Sequence, residues 1–227
     1  MQTQSTFTDA GWDFINETVN GTADIWYLTP SHYPRFAWEG IPPHVVSWEI
    51  GVPHGSLGDI WCAVEDGYIE PRTFGIKKIR VCFDTDMNTV PIDISQAIII
   101  EGAIGGTQTV SGQIIWESST CMVIELSSAL PDENAYIITL TNAIKSALGV
   151  ALEETSMCLT ALKGDANGDR SVTAGDLSAI LPHKNQPVNC NTARYDINCD
   201  GAVTSGDQLA ANFFRPPPNT APSCLTR

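Results

Sequence analysis

Two twelve-residue stretches concentrate the oxygen donors of the last quarter of the chain. Residues 165–176 read DANGDRSVTAGD and residues 196–207 read DINCDGAVTSGD. They align without a gap, with Asp at positions 1, 5 and 12, Asn at 3, Val at 8, Thr at 9 and Gly at 11. This pattern suits a hard cation. Calcium takes six to eight oxygens at about 2.3–2.6 Å, and a tight loop can aim side chains from positions 1, 3 and 5 at one centre. Position 7 adds a main-chain carbonyl, and position 12 opens a helix and can give a carboxylate. The expected ligands are Asp165, Asn167, Asp169, the Ser171 carbonyl and Asp176 in loop 1, and Asp196, Asn198, Asp200, the Ala202 carbonyl and Asp207 in loop 2. Two Ca2+ sites are therefore expected. Thr173 and Thr204 at position 9 could hold a water, and Val172 and Val203 at position 8 are expected to face each other where the loops pair.

Every acid in residues 162–216 stands at one of these positions. Asx-rich turns with solvated acids would account for one such run. They account poorly for two aligned ones, because six clustered carboxylates repel one another unless cations intervene. Position 6 is Gly201 in loop 2 but Arg170 in loop 1. That position needs positive φ, which a non-glycine residue adopts at a cost of about 1 kcal/mol. Loop 1 is therefore expected to bind more weakly.

The pair of loops resembles the dockerin domain of secreted bacterial proteins, a tandem of calcium loop plus helix. The resemblance implies helices over Leu177–Leu181 and Gln208–Phe214, with Pro182 cutting the first one short. It also implies a cohesin-like protein partner, often chosen through positions 10 and 11. Here those are Ala174-Gly175 and Ser205-Gly206, which are small and nearly featureless.

The elements upstream read differently. The chain has 227 residues, 43% of them apolar, so a real core is expected and global disorder is excluded. From Val45 to about Ala161 the pattern is β. Lys78 to Asp84 and Cys121 to Leu126 alternate, Tyr136, Ile138 and Leu140 share one face, and Met157, Leu159 and Ala161 repeat the pattern. Turn residues such as Asp84 to Asn88 and Gly105-Gly106 separate these runs, which suggests an antiparallel sandwich. The run from Ile79 through Phe83-Asp84-Thr85-Asp86-Met87, then Val123 to Leu126, Leu130-Pro131, Tyr136 to Leu140 and Gly149, resembles bacterial Ig-like domains of the S-layer type. The fold expectation is mainly β: an Ig-like antiparallel sandwich followed by a small helical module with two calcium loops. Four segments are expected: an aromatic-rich lead at 1–43, the sandwich at 44–161, the calcium module at 162–216 and a Pro-rich tail at 217–227.

Net charge is −14, so nucleic-acid binding through a general basic surface is excluded and anionic membranes should repel the chain. No apolar run is long enough to span a bilayer. Met1 to Ser5 has no signal-peptide character, so the chain is either cytosolic or has had a leader removed. Seven cysteines without CxxC spacing favour an oxidising compartment, secreted or at the cell surface. Cys82, Cys121 and Cys158 suit surface cross-strand disulfides, Cys190 and Cys199 either bridge or stay as buried thiols, with the bridge favoured, and Cys224 is the expected odd one.

Other candidates are read as structural. His32, His44, His54 and His183 form no ligand motif. Glu65-Asp66 and Glu153-Glu154 read as solvated turn acids rather than a glycosidase pair. The rings at residues 7–38 read as a small core in preference to a sugar platform, and Asn16 and Asn20 head acceptor sequons. The functional expectation is a non-catalytic docking or adhesion region. A self-assembling subunit of a surface layer or filament, and the C-terminal fragment of a polysaccharide-degrading enzyme, are the alternatives.

Overall fold

A computed structural model of the chain describes residues 40–215 and 219–224, together with residues 7, 12–14, 26–27 and 35–36. Tyr33, Trp38, His32 and both sequons lie outside the described residues. In the lead segment, β1 (Trp26–Tyr27) pairs antiparallel with β2 (Arg35–Phe36). The rings of Phe7, Trp12, Phe14 and Trp26 cluster with centroids 4.4–6.4 Å apart, and Phe14 is buried.

Two five-stranded sheets follow. The first comprises β3 (Val45–Pro53), β4 (Asp59–Ala63), β6 (Lys78–Phe83), β9 (Gly112–Trp116) and β10 (Cys121–Leu126), in the order β4-β3-β6-β10-β9. The second comprises β5 (Tyr68–Glu70), β7 (Ile98–Gly102), β8 (Gly106–Thr107), β11 (Asn134–Leu140) and β12 (Thr155–Ala161), in the order β5-β12-β11-β7-β8. All pairings are antiparallel except β12 with β5, which is parallel. A one-turn helix, α1 (Ile94–Ala97), leads into β7.

The period-two alternation places the core. In β6, Ile79, Val81 and Phe83 point inward, against Ile50, Val52, Met122 and Ile124 of the same sheet and Ile98, Ile100, Tyr136, Ile138, Leu140 and Leu159 of the other. Face-to-face burial of two such rows is what a sandwich requires. Tyr136 keeps its polar end satisfied by donating to the Pro131 carbonyl at 2.8 Å, which fastens the corner leading into β11. Both β11 faces are buried, because its outer face is covered as well.

The outward residues of β6 and β10 include Cys82 and Cys121, which stand opposite each other in the register and form a disulfide. Two further bridges differ from the sequence reading. Cys62 of β4 pairs with Cys190, and Cys158 of β12 pairs with Cys224. Cys199 is therefore the free thiol, and it is buried. A Cys190–Cys199 bridge is displaced because Cys190 lies against the sandwich edge, while Cys199 turns beneath Thr73. Cys224 is not odd, because the tail folds back to β12.

The last quarter carries α2 (Ala174–Ile180) and α3 (Ser205–Phe213), with short 3-10 turns at Leu181–His183 and Ala193–Tyr195. Ile180, Ile197, Val203, Ala166 and Ala211 form its small core. A second cluster, Val172 and Leu162 with Ile69 of β5, ties it to the sandwich.

Candidate metal centre

Both loops fold the same way, down to individual hydrogen bonds. The position 3 oxygen accepts from the position 5 N–H at 3.0 Å in each, Asn167 from Asp169 and Asn198 from Asp200. One oxygen of Asp169 and of Asp200 accepts from the position 7 N–H at 2.9 Å, and the other from the position 3 amide at 2.8 and 2.9 Å. Asp176 and Asp207 accept from the N–H of Asn167 and Asn198 with one oxygen, and from the N–H of Thr173 and Thr204 at 2.7 Å with the other. Those threonines cap α2 and α3, accepting from the N–H of Gly175 and Gly206 at 3.0 Å. Position 12 thus closes a capping box and turns its carboxylate back towards the loop.

Position 6 has positive φ in both loops, 94° at Gly201 and 70° at Arg170. The arginine accepts the strained geometry expected of it, and its guanidinium donates to the Pro222 carbonyl at 2.8 Å. Cys199 at position 4 also has positive φ, at 60°.

Val172 and Val203 do not face each other. Each loop instead pairs with the segment that follows the other loop's helix: Val172 N–H donates to the Asn219 carbonyl at 2.9 Å, and Asn185 N–H donates to the Val203 carbonyl at 2.9 Å. The tail and the interloop segment occupy the edges along which the loops would otherwise meet.

Charge and burial make the donor set suited to a cation. Asp165, Asp176, Asp196 and Asp207 are fully buried. Among the described ion pairs none involves Asp165, Asp176 or Asp207. A buried carboxylate held only by N–H donors is costly unless a cation compensates it. Without a cation, burial pushes the Asp165 carboxyl up to about 6, with neighbouring Asp176 adding to the rise. Burial raises Asp207 as well, helped by Asp196 and Asp200. Among the described residues no three His, Cys, Asp or Glu side chains converge as a cluster. The loops would complete coordination with Asn oxygens and main-chain carbonyls, as calcium loops do. The residues fit calcium.

The histidine that sequence reasoning dismissed lies beside this site. His54, at the end of β3, places Nδ1 2.6 Å from Asp196 Oδ2, and both side chains are fully buried. Arg72 Nη1 lies 3.1 Å from His54 Nε2, and its Nε and Nη2 each donate to Glu70 at 2.6 Å. No local signal in the sequence ties residue 54 to residue 196.

Residues 163–210 match the dockerin type I domain, and that part of the chain is a dockerin-type domain. No curated protein matches the chain. Among solved structures, surface layer protein SbsC, domains 1-6, is 13% identical with a TM-score of 0.35, covering 54% of this chain. CopC from Methylosinus trichosporium OB3b is 12% identical with a TM-score of 0.33, covering 51% of this chain and 94% of its own. The chain spans 14% of the length of that surface layer structure.

Proposed function

We propose that this chain is a non-catalytic attachment region of an extracellular or cell-surface protein, and that its dockerin-type segment, loaded with two calcium ions, docks onto a cohesin-like protein partner. The observation that carries the reading is the duplicated loop, in which buried carboxylates receive matching N–H donors and retain lone pairs that no described cation neutralises. Calcium, when bound, supplies the charge that lets those carboxylates stay ionised together. The chain's own residues do the rest. Asp165, Asn167, Asp169 and Asp176, with the Ser171 carbonyl, would hold one ion. Asp196, Asn198, Asp200 and Asp207, with the Ala202 carbonyl, would hold the other. Position 12 then links ion occupancy to the first turn of α2 and α3 through the capping box.

Leu209 and Phe213, four residues apart on α3, are exposed, as is Leu181 beyond α2. Apolar side chains grouped on a small module suit a protein partner. The three disulfides suit an oxidising compartment. No described helix is long and apolar enough to cross a membrane.

Native mass spectrometry in calcium and after chelation, followed by calorimetry against a panel of cohesin domains, tests the reading. Two ions on a monomer that binds a cohesin only in calcium is the expected result. No bound calcium at millimolar concentration would sink it, and a calcium-dependent multimer without a partner would favour self-assembly instead. Turnover of a polysaccharide by the purified chain would defeat the non-catalytic part.

A further inference from the structure

We infer that His54, carried by the sandwich, is a positioning residue for the calcium site of loop 2, so that the two loops bind calcium with unequal affinity. The inference rests on the calcium reading above and adds a residue from outside the dockerin-type segment.

Donor and acceptor chemistry fixes where the His54 proton sits. Arginine can only donate. Arg72 Nη1 is 3.1 Å from His54 Nε2, so Nε2 must offer its lone pair. The proton then sits on Nδ1, which donates to Asp196 Oδ2 at 2.6 Å. Glu70 locks the far end, taking the Arg72 main-chain N–H at 3.0 Å as well as two guanidinium N–H groups. Glu70, Arg72, His54 and Asp196 are all buried, so the chain of contacts is shielded from bulk solvent.

Its effect on Asp196 is visible against Asp165, the same position in loop 1. In loop 1, Oδ1 takes two N–H groups, from Gly168 and Asp169, and Oδ2 takes one, from Arg170. In loop 2 the load is reversed. Oδ2 takes His54 and the Gly201 N–H, while Oδ1 takes only Asp200. Each carboxylate takes three donors, but one of those on Asp196 is a side chain of the sandwich, which fixes the carboxylate plane from that side. Among the described residues, Asp165 takes its donors only from the main chain of its own loop.

The main chain of the sandwich reinforces this. Gly55 N–H donates to the Cys199 carbonyl and Thr73 N–H to the Ile197 carbonyl, both at 2.9 Å. Gly55 has φ of 52°, and a Cβ there would collide with the Asp200 carbonyl. Outer partners of this kind commonly change metal affinity by about 10–100-fold when removed.

The test uses the full chain with one loop disabled at a time, and calcium as the titrant. In an Asp169→Ala background, which leaves loop 2, His54→Leu should weaken calcium binding by about 10–100-fold. His54→Asn, which restores an N–H donor near Nδ1, should recover most of that loss. In an Asp200→Ala background, which leaves loop 1, His54→Leu should change nothing, and this also reports that the chain still folds. Unchanged loop 2 affinity in His54→Leu, equal weakening of both loops, or failure of His54→Asn to recover binding would each overturn the inference. If the parent chain binds no calcium at all, the calcium reading itself falls, which is a separate result.

Discussion

His54 and Asp196 stand 142 residues apart in sequence, yet their side chains meet at 2.6 Å in a site with no solvent exposure. The contact joins two parts of the chain that the sequence presents as separate modules. It makes the second twelve-residue loop a shared structure, built partly from the sandwich.

Single losses should separate the loops. Asp165→Ala and Asp196→Ala are each expected to remove one calcium ion in native mass spectrometry and leave the other. With free calcium at about 100 times Kd, each site should contribute about 2.7 kcal/mol of stability, lost on chelation. Thermal unfolding with and without chelator checks this, and an unchanged melting temperature would refute it.

The buried pair Glu70–Arg72 should respond asymmetrically. Arg72→Met leaves an uncompensated buried carboxylate and is expected to cost about 3–5 kcal/mol. Adding Glu70→Gln should return part of that loss. Denaturant midpoints of the single and double variants decide it, and a double variant worse than the single would be inconsistent with this account.

At position 6 of loop 1 the backbone and the side chain pull apart. Arg170→Ala keeps the strained φ and loses the contact with the Pro222 carbonyl, whereas Arg170→Gly loses only the contact. The glycine variant should be the more stable by about 1 kcal/mol. Equal stabilities would mean that the left-handed geometry is not retained in solution.

Cys199 should be silent to alkylation in the folded chain. It is buried beneath Thr73, and burial pushes its thiol from 9.0 up to about 11. Folding thus disfavours the thiolate, so protection should hold at pH 8 and native stability should fall as pH rises between about 9 and 11. One iodoacetamide adduct under non-reducing denaturation, and none before it, is the expected mass result. Two or more adducts would contradict the disulfide assignment.

The Cys62–Cys190 bridge encloses 128 residues of sequence separation. Replacing both with Ser is expected to cost about 2–4 kcal/mol. Calcium binding to loop 2 should weaken as well, because Cys190 precedes that loop and holds it to β4. A denaturant midpoint unchanged by the double replacement would count against the bridge.

Much of this architecture was legible from local pattern. The alternation of β6, β10 and β11 is a short-range signal, and so is the donor spacing inside each twelve-residue loop. Gly201 and Arg170 marked the same backbone need in two chemistries. What escaped was long-range. Cys190 and Cys199 are nine residues apart and looked like partners, but the chain between them includes the Ala193–Tyr195 turn and their side chains diverge to different parts of the sandwich. Val172 and Val203 looked like mates by analogy of position. The tail took one edge through Asn219 and the interloop segment took the other through Asn185. His54 gave no signal, because a histidine's value depends on what arrives opposite it.

The Cys158–Cys224 bridge also defines a mechanical route. Tension applied between the sandwich and residue 224 passes from β12 across sulfur to the tail, skipping the chain between two cysteines whose sequence separation is 66. Both twelve-residue loops lie within that bypassed segment. They fall outside the shortest covalent path of such a pull.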